Sequence, residues 1–393
     1  MNAWFRSWWQ RPVLHPPGEG ERRVSWLELF YDLVFVVVVS QLAHGLGTHP
    51  DPAGLLHFVL FFIPAWWVWV GGTLYSERFE TYDLSYRAFI FFQMLAVGVM
   101  AAAAGGSGEA RGDLYALGYA GARALITLMW WRAGRHIPAV RPVTTPYTIG
   151  FCSSIALWVL SVWAPEPWAL VLRAAGLVID LSTPIFTLAA QTRLFQGTAS
   201  KVPERYGLFV IIVLGESLVG IVNGLAEGAL NPVTLGRFAL GFALGFGLWW
   251  VYFDFVGRRT PKPGNAWTLY TWSYLHLPLV MGVAAVGAAL AHAVGEDGLH
   301  GGLAWVLAGG FALAYAFLGL IELTLKPEDP PLVRPATSSG LKGLTAALAL
   351  LTPLLHATWT VLAALVALHL INMAYGLRAW YRNPISRQNR EYH

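Results

Sequence analysis

Two carboxylates stand four residues apart inside the first long apolar stretch of the chain. Glu28 and Asp32 lie in a run from Val24 to Leu46 that is long enough to cross a bilayer. Four-residue spacing places them one turn apart on one helix face. Because a charge in mid-membrane costs about 2.5–3.5 kcal/mol on insertion scales, we expect both acids to turn inward to a cation, a proton or water. For Glu28, a position at the headgroup boundary is the alternative.

Further ionisable residues lie inside or at the ends of later apolar stretches. We expect them to form one mixed-charge cluster with Glu28 and Asp32, reached from the cytoplasmic side. Its other members are the acids Asp83, Asp180 and Asp254 and the bases Arg87 and Arg123. We predict that Arg87 or Arg123 is the partner of Asp32. The alternative is a set of structural ion pairs that fix helix register and confer no activity.

Glu216 and His276 are separate candidates for a pathway or a substrate site. Glu216 lies between Gly215 and Ser217 near the centre of a glycine-rich apolar stretch, where a neighbouring helix or a small solute can approach its carboxylate. Such a group can exchange a proton with a transported solute. His276 precedes Pro278, which frees a backbone carbonyl beside the imidazole. A hydrogen-bonded structural histidine is the alternative for this position.

The sequence predicts neither a metal site nor a cofactor. The histidines within the apolar stretches do not recur at four-residue spacing, and there is no His-Glu-x-x-His pattern. The single Cys152 excludes an intramolecular disulfide and cysteine-based zinc or iron–sulfur sites. No P-loop, dinucleotide fingerprint or nucleophile elbow occurs. The formal charge of +4 does not indicate a nucleic-acid partner, because the basic residues mark membrane topology.

Composition identifies an integral membrane protein. The chain is 56% hydrophobic and 12% charged, and it contains 19 Trp, a residue that settles at membrane–water interfaces. After the first stretch, apolar segments recur at 53–75, 84–104, 113–133, 145–164, 167–190, 205–227, 232–256, 267–293, 301–325, 339–357 and 359–381. The predicted fold is an all-α polytopic transmembrane bundle of about twelve helices. The last two segments are two helices or one irregular segment kinked at Pro353.

Basic residues alternate between loops, as the positive-inside rule requires. They occur in the N-terminal segment, after each even-numbered apolar stretch and at the C-terminus, whereas the other loops hold only Arg111. This pattern predicts a multi-pass protein of the bacterial inner membrane with both termini in the cytoplasm.

The two halves of the chain resemble each other. Trp66–Trp69 matches the run 249–252, 98–103 echoes 282–287, and Tyr31 aligns with Tyr206. Three pairs in register favour two parallel six-helix repeats. The predicted organisation is a cytoplasmic interfacial segment at 1–23, a first repeat at 24–192, a linker at 193–204, a second repeat at 205–381 and a cytoplasmic tail at 382–393.

Two motifs resemble signatures of a bacterial family. The run Glu28-Leu-Phe-Tyr-Asp-Leu-Val-Phe-Val, with Gln41-Leu-Ala-His44, is similar to the opening signature of the low temperature requirement protein A (LtrA) family. The run from Arg205 to Ser217, Arg-Tyr-Gly-Leu-Phe-Val-Ile-Ile-Val-Leu-Gly-Glu-Ser, resembles its second signature. The resemblance implies an integral membrane protein named for a requirement in cold growth, and it supplies no biochemical activity.

Two classes of function fit these features. The first is a transporter or channel for a small solute or ion, with buried carboxylates in the pathway. Such a protein acts in the lipid bilayer, and a homo-oligomer is one form that it can take. The second is a membrane-embedded enzyme acting on a lipid or lipid-linked substrate, with Glu28, Asp32 or Glu216 as acid or base. Repeats and dispersed intramembrane charges favour the first class.

Overall fold

A computed structural model describes residues 10–14, 24–80, 83–106, 108–195, 201–257, 259–263, 266–295, 298–327 and 334–382. The chain divides into two compact units. The first unit comprises the described residues of 1–42, 58–205 and 265–267, and the second those of 43–57, 206–264 and 268–393. The predicted interfacial segment 1–23 lies outside the described residues except for 10–14. Residues 196–200 of the predicted linker and 383–393 of the predicted tail also lie outside them.

Thirteen helices occur among the described residues, and they follow the apolar stretches of the sequence. Up to the linker they are α1 (Trp26–Thr48), α2 (Pro52–Arg78), α3 (Leu84–Ala104), α4 (Glu109–His136), α5 (Arg141–Leu160), α6 (Trp168–Phe186) and the short α7 (Leu188–Leu194). The others are α8 (Val202–Glu227), α9 (Pro232–Tyr252), α10 (Ala266–Val294), α11 (Leu303–Thr324), α12 (Pro335–Ala349) and α13 (Thr358–Arg382). A π-helical turn, Phe253–Gly257, extends α9.

The prediction of an all-α polytopic bundle is confirmed. Ten of the described helices are long and apolar enough to cross a membrane. The long helix α4, which carries Arg111, Asp113 and Arg123, is not among these ten. Nor is α12, whose 15 residues span only about 22 Å. The organisation into two repeats stays a prediction.

The structure decides between the two descriptions of the region 339–381. Helix α12 ends at Ala349, a 3-10 turn covers Thr352–Leu355, and α13 begins at Thr358. Between them, His356 has a φ of 59°. This left-handed conformation cannot continue a right-handed helix. The region is therefore two helices.

Two short strands tie the start of the chain to the end of α2. Strand β1 (Val13–Leu14) pairs antiparallel with β2 (Phe79–Glu80), with Leu14 opposite Phe79. Leu14 packs against a buried aromatic cluster in which the Phe79 and Trp130 rings lie 5.4 Å apart. The other cluster members come mainly from α2, α4 and α5. This packing fixes the end of α2, one of the helices that contribute to the site around Asp32 described below.

In the second unit, glycines allow two helices to pack backbone to backbone. A Cβ added at Gly282 of α10 would lie 2.6 Å from the carbonyl oxygen of Gly310 on α11. Such small-residue contacts are a standard way for membrane helices to associate closely. Beyond these helices, Pro261 forms an isolated antiparallel bridge with Leu325.

Candidate functional site

The most distinctive polar arrangement of the first unit surrounds Asp32. The Nη2 atom of Arg205, at the start of α8, lies 2.6 Å from Asp32 Oδ1. The indole Nε1–H of Trp69, on α2, donates to the same oxygen at 2.7 Å. The other oxygen, Oδ2, is buried and has no hydrogen-bond partner among the described residues. The carboxylate therefore receives two donors on one oxygen and none on the other.

The Arg205 guanidinium connects Asp32 to a wider set of polar groups. Its Nη1 donates to Ser76 Oγ at 2.9 Å and lies 4.0 Å from Glu28 Oε1. Lys201 Nζ lies 3.7 Å from Glu28 Oε2. We call Glu28, Asp32, Trp69, Ser76, Lys201 and Arg205 the Asp32 site.

Glu28 also caps α1. The backbone N–H of Ser25 donates to Glu28 Oε2 at 2.8 Å, and the backbone N–H of Glu28 donates to Ser25 Oγ at 3.3 Å. This reciprocal arrangement is a capping box, encoded by the sequence Ser25-x-x-Glu28. It holds the Glu28 carboxylate in the first turn, beside Lys201 and Arg205. Glu28 is thus a buried cap and ion-pair partner.

A small cavity opens beside the Asp32 site. It is lined by Leu27, Glu28, Tyr31, Gly72, Tyr86, Ile90 and Arg205, and it has room for about one water molecule. Gly72 is needed for this geometry, because a Cβ there would lie 2.5 Å from the Tyr31 hydroxyl oxygen.

A second buried ion pair, in the same unit, is fully complemented at its carboxylate. Arg123 of α4 binds Asp180 of α6 through two parallel contacts, Nη2 to Oδ1 at 2.8 Å and Nε to Oδ2 at 3.1 Å. The Tyr119 hydroxyl also donates to Oδ2. The guanidinium carbon lies 4.1 Å from the centroid of the Phe151 ring. We call these four residues the Asp180 site.

One stretch of α2 contacts both sites. Trp69 donates to Asp32, and the Val68 carbonyl accepts from the Tyr31 hydroxyl at 3.4 Å. The Trp67 ring lies 5.9 Å from the guanidinium carbon of Arg123. The run Trp66–Gly72 therefore contacts both ion pairs. It contains the Trp-rich motif singled out in the sequence.

The model of the family described as "Bacterial low temperature requirement A protein (LtrA)" matches residues 23–375, which include every residue of both sites. The chain belongs to the LtrA family. An uncharacterised protein of Rhizobium meliloti (strain 1021) is 28% identical over 300 residues, which cover 72% of this chain and 71% of that protein.

The predicted partners of Asp32 were wrong. Neither Arg87 nor Arg123 contacts it, because Arg123 is engaged by Asp180 and the Arg87 side chain is exposed. The partner is Arg205, which the sequence presented only as a basic residue of a loop and as the first residue of the second LtrA signature. That signature was the signal that could have identified it.

The single mixed-charge cluster was also wrong. Asp83 is the N-cap of α3, accepting from the backbone N–H of Tyr86, and its ion partner is Arg132 at 3.4 Å. Asp254 belongs to the second unit, is exposed and accepts from the Trp250 indole at 2.6 Å. Within the first unit of this LtrA family member, Asp83 therefore belongs to neither the Asp32 site nor the Asp180 site.

The two remaining candidates lie in the second unit. Glu216 of α8 is partly exposed. His276 of α10 is fully buried. Its Nδ1 contacts the Trp272 carbonyl at 2.8 Å and its Nε2 lies 3.3 Å from the Tyr252 hydroxyl. Because a carbonyl only accepts, Nδ1 carries the proton and Nε2 accepts from Tyr252. This is the geometry of a hydrogen-bonded structural histidine.

Sequence reasoning also missed a buried pair in the second unit. Lys342 Nζ lies 2.9 Å from Glu322 Oε2 and 3.7 Å from the centroid of the Phe255 ring. Phe255 reaches this position from the π-helical turn. Among the residues that the structure describes, no group of three or more His, Cys, Asp or Glu is placed to hold a metal ion.

Proposed function

We propose that this LtrA family member is a transporter or channel that moves a proton together with a small ion or solute, and that Asp32 is the group that binds the proton. The observation that carries the proposal is the one-sided Asp32 carboxylate, with Oδ1 held by two donors and Oδ2 buried without a partner. A proton can add to Oδ2 without displacing a hydrogen bond. Buried ionisable groups in membrane proteins characteristically mark ion and proton pathways.

The position of Asp32 suits this role. It lies six residues into α1, or about 9 Å from the helix start, within a span long enough to cross a membrane. The adjoining cavity, with Glu28, Tyr31 and Arg205 in its wall, supplies space for a water molecule next to the ion pair. A proton can therefore reach the neighbourhood of Asp32 from that end of α1.

The distribution of basic residues supports an orientation with both termini and the even-numbered loops in the cytoplasm of a bacterial inner-membrane protein. Cysteines placed at Ala110 and Thr337, both exposed, in a Cys152→Ser background test this. A membrane-impermeant maleimide added to intact cells should label the cysteine at 110 and not the one at 337. Equal labelling of the two would contradict the topology.

The functional test uses the full-length protein reconstituted into liposomes that contain a trapped pH indicator. Gradients of inorganic ions and small metabolites are imposed one at a time, and wild-type protein should move protons with at least one of them. Asp32→Asn should remove this proton movement. The matched control is Asp254→Asn, which changes an exposed carboxylate and should behave as wild type.

Asn at position 32 retains the shape needed for folding, because its amide oxygen can keep both donors of Oδ1 while the NH₂ group occupies the unpartnered position. A normal elution profile and melting temperature would show that the variant is folded. The proposal fails if folded Asp32→Asn moves protons with the rate and pH profile of the wild type.

A further inference from the structure

We infer that the species accompanying the proton is a small inorganic anion of halide size, bound by Arg205 while Asp32 is protonated. This inference rests on the proposed function and names the substrate class of the same site. It depends on charge balance, on the donors around the cavity and on the cavity's size.

The charges of the groups around Asp32 sum to zero when Asp32 is ionised. The ion pairs around it involve Glu28 on α1 and Lys201 and Arg205 at the start of α8, while Tyr31 and Tyr86 line the adjoining cavity. With Asp32 ionised, two acids meet two bases in this network and the tyrosines are neutral. A proton on Asp32 leaves one uncompensated positive charge in a buried region. Because such a charge is costly in a low dielectric, an anion that enters with the proton restores neutrality.

The donor set around the cavity suits an anion. The Arg205 guanidinium lines the cavity, and its buried Nε–H has no hydrogen-bond partner among the described residues. Tyr31, which also lines the cavity, donates over 3.4 Å to Val68, a long contact that can be exchanged for a stronger one. A guanidinium fork is a preferred protein ligand for anions.

A metal cation fits the same cavity poorly. Sodium, potassium and calcium are bound by several oxygens whose lone pairs point at the ion. Here Asp32 Oδ1 is taken by two N–H donors, and Glu28 Oε2 by the Ser25 N–H and the Lys201 ammonium. Two fixed positive charges, Lys201 and Arg205, would repel a cation.

The size of the cavity limits the anion. Room for about one water molecule is adequate for a monatomic anion and too small for a phosphate or an organic acid. The transport step then moves one proton and one anion. An O–H bond forms at Asp32 Oδ2 as the anion binds Arg205, and it breaks at the other side of the membrane, where the restored carboxylate repels the anion.

Chloride efflux from liposomes tests the inference, with an electrode reading chloride and a trapped indicator reading protons. In the wild type, chloride should leave with a proton and faster at lower pH. Asp32→Asn, with its permanently neutral side chain, should move chloride without protons and independently of pH. Arg205→Gln should lower chloride flux by at least about tenfold, since a charge-assisted hydrogen bond is worth about that factor or more. Asp254→Asn should match the wild type.

A second measurement does not depend on flux. Chloride, but not gluconate, should raise the melting temperature of Asp32→Asn, and Arg205→Lys should retain part of this shift. If wild-type protein moves protons with sodium or potassium and not with chloride, the anion inference is overturned and the proposed function stands. If the wild type moves no protons with any ion or solute, the proposed function fails and the inference fails with it.

Discussion

The Asp32 and Asp180 sites are built from the same parts in different arrangements. Each has one buried aspartate, one buried arginine and one aromatic donor, Trp69 or Tyr119. At Asp180 the guanidinium binds both carboxylate oxygens, and the hydroxyl adds a third contact. At Asp32 all donors converge on one oxygen. A carboxylate satisfied at both oxygens holds helices together, whereas one left open on one side can accept a proton without breaking a contact.

The largest expected effect is the loss of stability caused by Asp180→Asn. In Asp180→Asn, the amide NH₂ must face Arg123 or Tyr119, which are donors themselves, and the arginine loses its counter-charge. Breaking a buried pair in this way costs about 3–5 kcal/mol. Thermal unfolding of the detergent-purified variant should show a much lower melting temperature than that of Asp32→Asn. Equal losses in the two variants would remove the distinction between the sites.

A smaller effect is expected at Gly72. In Gly72→Ala, the new methyl group would lie 2.5 Å from the Tyr31 hydroxyl oxygen, so the ring must shift away from α2 and into the cavity. Overpacking of this kind costs about 1–3 kcal/mol. Proton movement in liposomes should fall sharply while the protein still folds. Gly98→Ala is the matched control, since open space surrounds that position. An unchanged rate in Gly72→Ala would show that the cavity is not part of the pathway.

The smallest effects separate the two aromatic donors. Tyr119→Phe and Trp69→Phe each remove one hydrogen bond to a carboxylate, at a cost of about 1–3 kcal/mol. Tyr119→Phe should lower the melting temperature and leave the pH dependence of proton movement intact. Trp69→Phe should shift the pH of half-maximal rate upward, because Trp69 donates to the ionised form of Asp32. The same profile in both variants would argue against a titrating Asp32.

The sequence predicted the helices well and their contacts poorly. Hydropathy located every long helix because each apolar stretch forms its own backbone hydrogen bonds in a membrane. The burial of Asp32 followed from the cost of exposing a charge to lipid. Its partner did not, because Arg205 lies 173 residues away along the chain and only the folded first unit brings the two side chains together. Nothing in the sequence indicated that one carboxylate oxygen of Asp32 lacks a hydrogen-bond partner, whereas both oxygens of Asp180 have one.

The pairing of β1 with β2 has a consequence for how many times the chain crosses the membrane. Two segments that touch outside the bilayer lie on the same face of it, so an even number of crossings separates them. Leu14 and Phe79 enclose α1 and α2, and Pro261 and Leu325 enclose α10 and α11.

The same parity applies to the ion pair of Asp83 and Arg132, which encloses α3 and α4. Helix α3 is among the ten apolar spans, and if it crosses the bilayer, α4 must return across it for Asp83 and Arg132 to meet on one face. On such a crossing Arg123 would pass through the membrane interior, with Asp180 as its counter-ion.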